Sequence, residues 1–122
     1  ARAVLFRLAE LEIINASEDG GLALRLAFDA RSVPEIAELL GEFIPSSFNE
    51  LTAYLAKLQE AGELRHDIDA RLMAEAFFSL TSSYVMYRSV MGVIDTPVDF
   101  DRTKDIEQLL DLFWSGARSE DT

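Results

Sequence analysis

The sequence predicts an all-α fold, a bundle of five to six helices, from three observations. Apolar residues recur at three- and four-residue spacing through successive segments, the period of a helix with one buried face. Glycine and proline are few, at six and three, and no run alternates β-branched with polar residues. Finally, the segment at about 70–91 is apolar on almost every side, with Glu75 and Arg88 the only charges between residues 72 and 90. A helix of that kind is a buried helix.

The elements follow in order. A first helix at about 2–16 sets Val4, Leu5, Leu8 and Leu11 inward, with Arg7, Glu10 and Glu12 between them. Ser17-Glu18-Asp19-Gly20-Gly21 breaks it, because short polar side chains and glycines favour turns. Residues 22–28 are apolar apart from Arg25. They read as a second helix, since leucine and alanine are helix formers and no β-branched residue is present. Ser32-Val33-Pro34-Glu35 has the form of a capping box with proline in the first turn, opening a helix with Val33, Ile36, Ala37 and Leu40 inside. Pro45 is expected to stop or kink it. Ser47-Phe48-Asn49-Glu50 is a second such box, and its helix carries Phe48, Leu51, Leu55 and Leu58 on one side before Gly62 ends it.

Asp69 is placed to cap the long helix at about 70–91. One stripe of that helix is Leu72, Met73, Ala76, Phe77, Leu80, Tyr84, Tyr87 and Met91. A second, opposite stripe is Ala74, Phe78, Thr81 and Val85. A loop with Thr96-Pro97 leads to a last helix at about 102–117, capped by Asp99 or Asp101. Ile106, Leu109, Leu110 and Phe113 form its main stripe, widened by Leu112 and Trp114. Two long helices closing the chain predict an antiparallel hairpin. Its apolar surface exceeds what one chain of 122 residues readily covers, so self-association is expected.

Composition narrows the function. Twenty-two acidic against eleven basic residues leave a net charge of −11, which repels both nucleic-acid phosphates and anionic membranes. No cysteine is present, so a disulfide framework and a thiol nucleophile are excluded, as is a thiolate metal site; a reducing cytoplasm fits this usage. No apolar run approaches the ~20 residues that span a bilayer.

Two stretches resemble a known family. Gly62-Glu63-Leu64-Arg65-x-Asp67-Ile68-Asp69 is similar to the "GELRxDLD" join before the penultimate helix in the C-terminal domain of tetracycline-repressor (TetR) family regulators. Leu109-Leu110-x-Leu112-Phe113-Trp114-x-Gly116 is similar to that domain's closing "LLxxFLxG". The likeness covers residues 20–118, within a single domain of 1–122 whose residues 1–16 resemble the end of the linking helix or the start of the domain. It implies an effector-sensing and dimerisation domain of a transcriptional repressor. DNA would be bound only through an N-terminal helix-turn-helix that has no counterpart in this chain. It also implies an intersubunit four-helix bundle from 70–91 and 102–117, with Ala74, Phe78, Thr81, Val85, Ile106, Leu109, Leu110, Phe113 and Trp114 at the homodimer interface. Carried residue by residue, the family's pocket falls on Leu26, Phe43, Phe48, Leu51, Tyr54, Leu55, Phe77, Leu80, Tyr84, Tyr87 and Arg88. Such a lining suits a small, largely apolar or aromatic ligand held by a phenol or by Arg88.

Catalytic patterns are weak by comparison. His66 is the only histidine and sits in a polar link, and with no cysteine a transition-metal site would rest on carboxylates alone. The pairs Glu10 and Glu12, Glu60 and Glu63, Asp67 and Asp69, and Asp99 and Asp101 read as helix caps or solvated faces. Ser79, Ser82 and Ser83 lack a Gly-x-Ser-x-Gly elbow, and their small size suits close helix packing. The expectation is therefore a non-enzyme without metal or cofactor. The competing reading is a helical homodimerisation or protein-interaction module with no small-molecule pocket.

Overall fold

The computed structural model describes residues 1–17, 32–92, 94 and 102–119, with side chains throughout except at 36, 39–45 and 102. It is all-α, with helices α1 (Arg2–Ser17), α2 (Pro34–Glu60), α3 (Ala70–Val85) and α4 (Arg102–Ala117). A π-helical turn, Met86–Val90, continues α3. The predicted helix at 22–28 and the predicted caps Asp99 and Asp101 lie outside the described residues. No described helix is long and apolar enough to cross a membrane.

Helix α1 forms where expected but buries a different line. Leu5, Ala9 and Ile13 are buried at four-residue steps, whereas Val4 and Leu11 are 54% and 40% exposed. Each residue turns the helix by about 100°, so Val4, one residue from Leu5, points well away from the buried line. That line faces both α3 and α4, and Ala9 meets Phe77, Thr81, Leu110 and Phe113 where the three helices converge.

Helix α2 corrects two expectations. It starts at Pro34, with extended Val33 as the boundary residue and no side-chain cap, so Ser32 does not act as one. It then runs unbroken past Pro45 and Ser47 to Glu60, one helix where the sequence pattern predicts two. An interior proline loses a backbone hydrogen bond and costs ~3 kcal/mol. Buried Leu51, Leu55 and Leu58 hold the following half of α2 in the core, a tertiary contribution that local capping patterns do not contain.

The end of α2 is as predicted. Gly62 adopts φ +80°, its N–H donates to Gln59 O at 3.1 Å, and Glu63 N–H donates to Leu58 O at 3.0 Å. These are the two bonds of a Schellman cap, which needs a left-handed residue and therefore favours glycine.

The link from 61 to 69 is pinned at several points. Gln59 Nε2 donates to the carbonyls of Arg65 at 3.0 Å and Ile68 at 2.8 Å. Arg65 donates its backbone N–H to Ala117 O at 2.8 Å and its guanidinium to Gly116 O at 3.2 Å, while Ser119 N–H donates to Glu63 O at 3.1 Å. The last carbonyls of a helix have no partner within it and carry the negative end of its dipole, so an arginine there satisfies both needs. The Arg65 guanidinium also grips both Asp67 oxygens at 2.7 Å. Asp69 then caps α3 as predicted, accepting from Leu72 N at 3.2 Å.

Helix α3 is the centre of the bundle, packed by α1, α2 and α4. Met73, Ala74, Phe77, Thr81, Tyr84 and Val85 are buried, so residues from both predicted stripes face this chain's own core. Phe77 stacks edge-on against Phe113 of α4 at 5.4 Å, and Phe78 against Phe48 of α2 at 4.9 Å. The Thr81 hydroxyl is satisfied within the helix, donating to Phe78 O at 3.0 Å. Helix α4 buries Ile106, Leu110, Phe113 and Ala117. Its end lies at the start of α3 through the Arg65 bonds, and its beginning lies at the end of α3 through Tyr84 and Asp105. The hairpin is antiparallel, as expected. An Arg2–Asp111 ion pair adds an exposed tie from α1 to α4.

Two measurements check this account. Gly62→Ala meets no atom within 4 Å, so its cost is purely the left-handed backbone, about 1 kcal/mol in urea unfolding. The second concerns acid. Hydrogen bonds from Arg65 hold the Asp67 carboxyl down at about 2 instead of 3.8. A lowered value in the fold means that this contribution is present above 3.8 and fades as the pH falls toward 2. Asp67→Asn should therefore flatten that part of the acid limb in urea midpoints taken across the same window. Glu12 acts with the opposite sign, because burial raises its carboxyl above 4.5 and favours the fold at lower pH.

Candidate functional site

A cleft of about 320 Å³ opens between the end of α3 and the first half of α4. Leu80, Leu109 and Leu112 form its apolar wall, and Ser83, Tyr84, Tyr87, Arg88, Asp105 and Gln108 its polar parts. Its size falls at the lower end of small-molecule sites.

The polar end is tightly organised. Tyr84, 5% exposed, donates its hydroxyl to Asp105 Oδ2 at 2.6 Å and so ties the two walls together. The Arg88 guanidinium lies over the Tyr84 ring, 4.0 Å from its centroid, and Nη1 donates to Tyr84 O at 3.2 Å. That placement combines a cation–π contact with a hydrogen bond to a carbonyl one turn back. Arg88 Nε, however, is buried with no hydrogen-bond partner. A buried donor left so costs roughly 1–3 kcal/mol. Among the described residues the other buried side-chain polar atom without a partner, Thr52 Oγ1, belongs to α2, which does not line the cleft.

The π-helical turn explains how Tyr87 and Arg88 reach this place. Met91 N–H donates to Met86 O at 2.8 Å, five residues back, so the turn holds one residue more than an α-turn. The inserted residue interrupts the stripe that ran through Phe77 and Tyr84. Tyr87 becomes 40% exposed at the cleft and Met91 54% exposed beyond it.

Of the predicted ligand residues, Leu80, Tyr84, Tyr87 and Arg88 are brought together here. Leu51, Leu55 and Phe77 lie in the core, while Phe48 and Tyr54 pack partly buried against it. Leu26 and the Phe43 side chain fall outside the described residues. Ser83, Asp105, Gln108 and Leu112 were not among the predicted contacts, and Leu109 was assigned to the interface. Their signal was the spacing of 105, 109 and 112 along α4, set opposite 80, 84 and 87 by an antiparallel hairpin.

The predicted interface set needs correction in its placement. Ala74, Thr81, Val85, Ile106, Leu110 and Phe113 are all below 9% exposed within the single chain, with Phe78, Leu109 and Trp114 packed against that core. Those six are covered within the single chain, whereas Phe78, Leu109 and Trp114 are half-buried and keep part of their surface open. What α3 and α4 leave open is another face. Leu72 at 58%, Ala76, Ser79 and the half-buried Ser83 follow the 4-3-4 spacing of a coiled-coil seam. Asp105, Leu109, Leu112 at 70% and Gly116 repeat that spacing on α4.

The remaining polar candidates have structural roles. His66 is exposed in the link, Asp67 pairs with Arg65, Glu10 pairs with Arg7 at 2.8 Å, and Asp69 is a cap. Among the described residues no cluster of histidines and carboxylates is arranged to hold a metal.

Comparison with known proteins places this architecture. Residues 6–115 match the family described as AefR-like transcriptional repressor, C-terminal domain. Searches of curated proteins and of solved structures returned no match. The all-α bundle, the pinned 62–69 join and the span of the family match lead to one conclusion: the chain belongs to the AefR-like C-terminal domain family of TetR-type transcriptional regulators.

Proposed function

We propose that this domain senses a small, largely apolar or aromatic effector in the cleft between α3 and α4, and holds two subunits of a cytoplasmic regulator together along those helices. The observation that carries this reading is the position of the cleft. It lies between two 4-3-4 seams, one on each helix, whose small residues Ala76, Ser79, Ser83 and Gly116 let another helix approach closely. A second copy related by a twofold axis would place both pairs of seams in one four-helix bundle. An effector seated between the seams then bears directly on how the two copies meet.

Regulation on this reading is a population shift. Two arrangements of the subunits differ in their fit to the effector, and that differential affinity moves the equilibrium between them. DNA would be contacted by a helix-turn-helix outside this chain, because a net charge of −11 opposes phosphate binding by the domain itself. Release from DNA on effector binding would make the regulator a repressor. No bond-making step is part of this function. The cleft holds a phenol, a guanidinium and a carboxylate that bind and orient a ligand.

Two experiments test it. Leu112→Glu changes a side chain that the single chain leaves 70% exposed, so helicity should stay unchanged while the dimer dissociation constant rises at least about a hundredfold. Sedimentation equilibrium reads this, and a dimer of unchanged affinity would remove the seam from the interface. Tyr87→Ala should weaken effector binding about tenfold with little change in melting temperature, as Tyr87 is largely outside the core. A thermal-shift screen with apolar and aromatic compounds supplies the ligand for that measurement. Lack of stabilisation by every compound would favour a dimerisation module without a pocket.

A further inference from the structure

We infer that the effector is an acid: an apolar or aromatic body carrying one carboxylate, which the guanidinium of Arg88 receives. This rests on the effector reading of the cleft and adds the ligand's charge.

Two acidic residues stand for each basic one, so an arginine has abundant carboxylates available. Arg2, Arg7 and Arg65 each take one. Among the described residues Arg88 forms no ion pair, and neither do Arg71 and Arg118, although Asp105 lines the Arg88 cleft. Asp105 is turned to the Tyr84 hydroxyl at 2.6 Å. That bond turns one Asp105 oxygen to the phenol, and the Arg88 guanidinium is engaged with the Tyr84 ring and carbonyl instead of the carboxylate.

Geometry then selects the ligand group. The Tyr84 ring lies against one face of the guanidinium at 4.0 Å, and Nη1 is bonded to Tyr84 O, so the group cannot turn freely to find water. Its Nε–H is buried and unmatched. Arginine presents Nε–H and an Nη–H side by side, a fork that fits the two oxygens of a carboxylate. Neutral acceptors such as an amide carbonyl satisfy one donor and leave the positive charge uncompensated. Beside Ser83, Tyr87 and Gln108 stands the leucine wall, which suits an alkyl or aryl body.

The test compares matched pairs, decanoate with decanamide and 4-butylbenzoate with 4-butylbenzamide, by calorimetry on the full chain. Each acid is expected to bind at least about tenfold tighter than its amide, the factor of one charge-assisted contact. Arg88→Met should abolish that preference by weakening the acids more than the amides, and Arg88→Lys should restore part of it. The lysine variant also decides the matter if the methionine variant does not fold. Acid and amide binding equally would overturn the acid while leaving the effector cleft standing. Failure of all four compounds to bind would remove the effector reading and this inference together. An acid preference that survives in Arg88→Met would overturn the assignment to Arg88.

Discussion

Everything in this domain is arranged around the buried side of α3. Phe77, 2% exposed, touches Phe113 of α4 on one side and Phe78 on the other, and Ala9 of α1 lines the same junction. Three other helices cover α3, so its two apolar stripes are consumed from several directions at once. Truncating an aromatic residue in such a place costs ~3–5 kcal/mol, a large part of the stability of a domain this size. The positions of α1, α2 and α4 follow from covering that helix.

The second constraint is the join from 61 to 69. It is short and polar, yet it fixes three helix ends: the glycine cap closes α2, Asp69 opens α3, and Arg65 satisfies the last carbonyls of α4. Each bond alone is modest, about 1 kcal/mol or somewhat more for a charged donor. Together they hold α4 antiparallel to α3 and thereby set Asp105 opposite Tyr84. The cleft at the far end of the hairpin depends on a register fixed at the near end.

Function on this scaffold comes from what the core does not use. The π-helical turn takes Tyr87 and Arg88 off the buried stripe, and the 4-3-4 seams stand on the face turned away from α1 and α2. The cleft and the two 4-3-4 lines share Ser83, Asp105, Leu109 and Leu112. On the proposed reading a ligand and a second subunit would press on the same side chains, which would couple one to the other.

Much of this was legible in the chain itself. Helical period marked α1, α3 and α4, Gly62 marked the end of α2 and Asp69 the start of α3, and the join at 62–69 pointed to the family. Less was legible where one local signal met a tertiary one. Two capping patterns around Pro45 predicted a break, but buried Leu51, Leu55 and Leu58 carry α2 through it. Spacing also showed that α3 has apolar residues on two sides, without showing which neighbour takes each.

The sequence by itself determined the helical class, the antiparallel hairpin and the capped join, because helix period and end chemistry act over a few residues. Only the tertiary structure decided that Ala74, Val85, Ile106 and Leu110 belong to the core while Leu72 and Leu112 stay open. It alone brought Arg88 beside Tyr84 and Asp105, since which face of a helix is buried depends on partners distant in the chain.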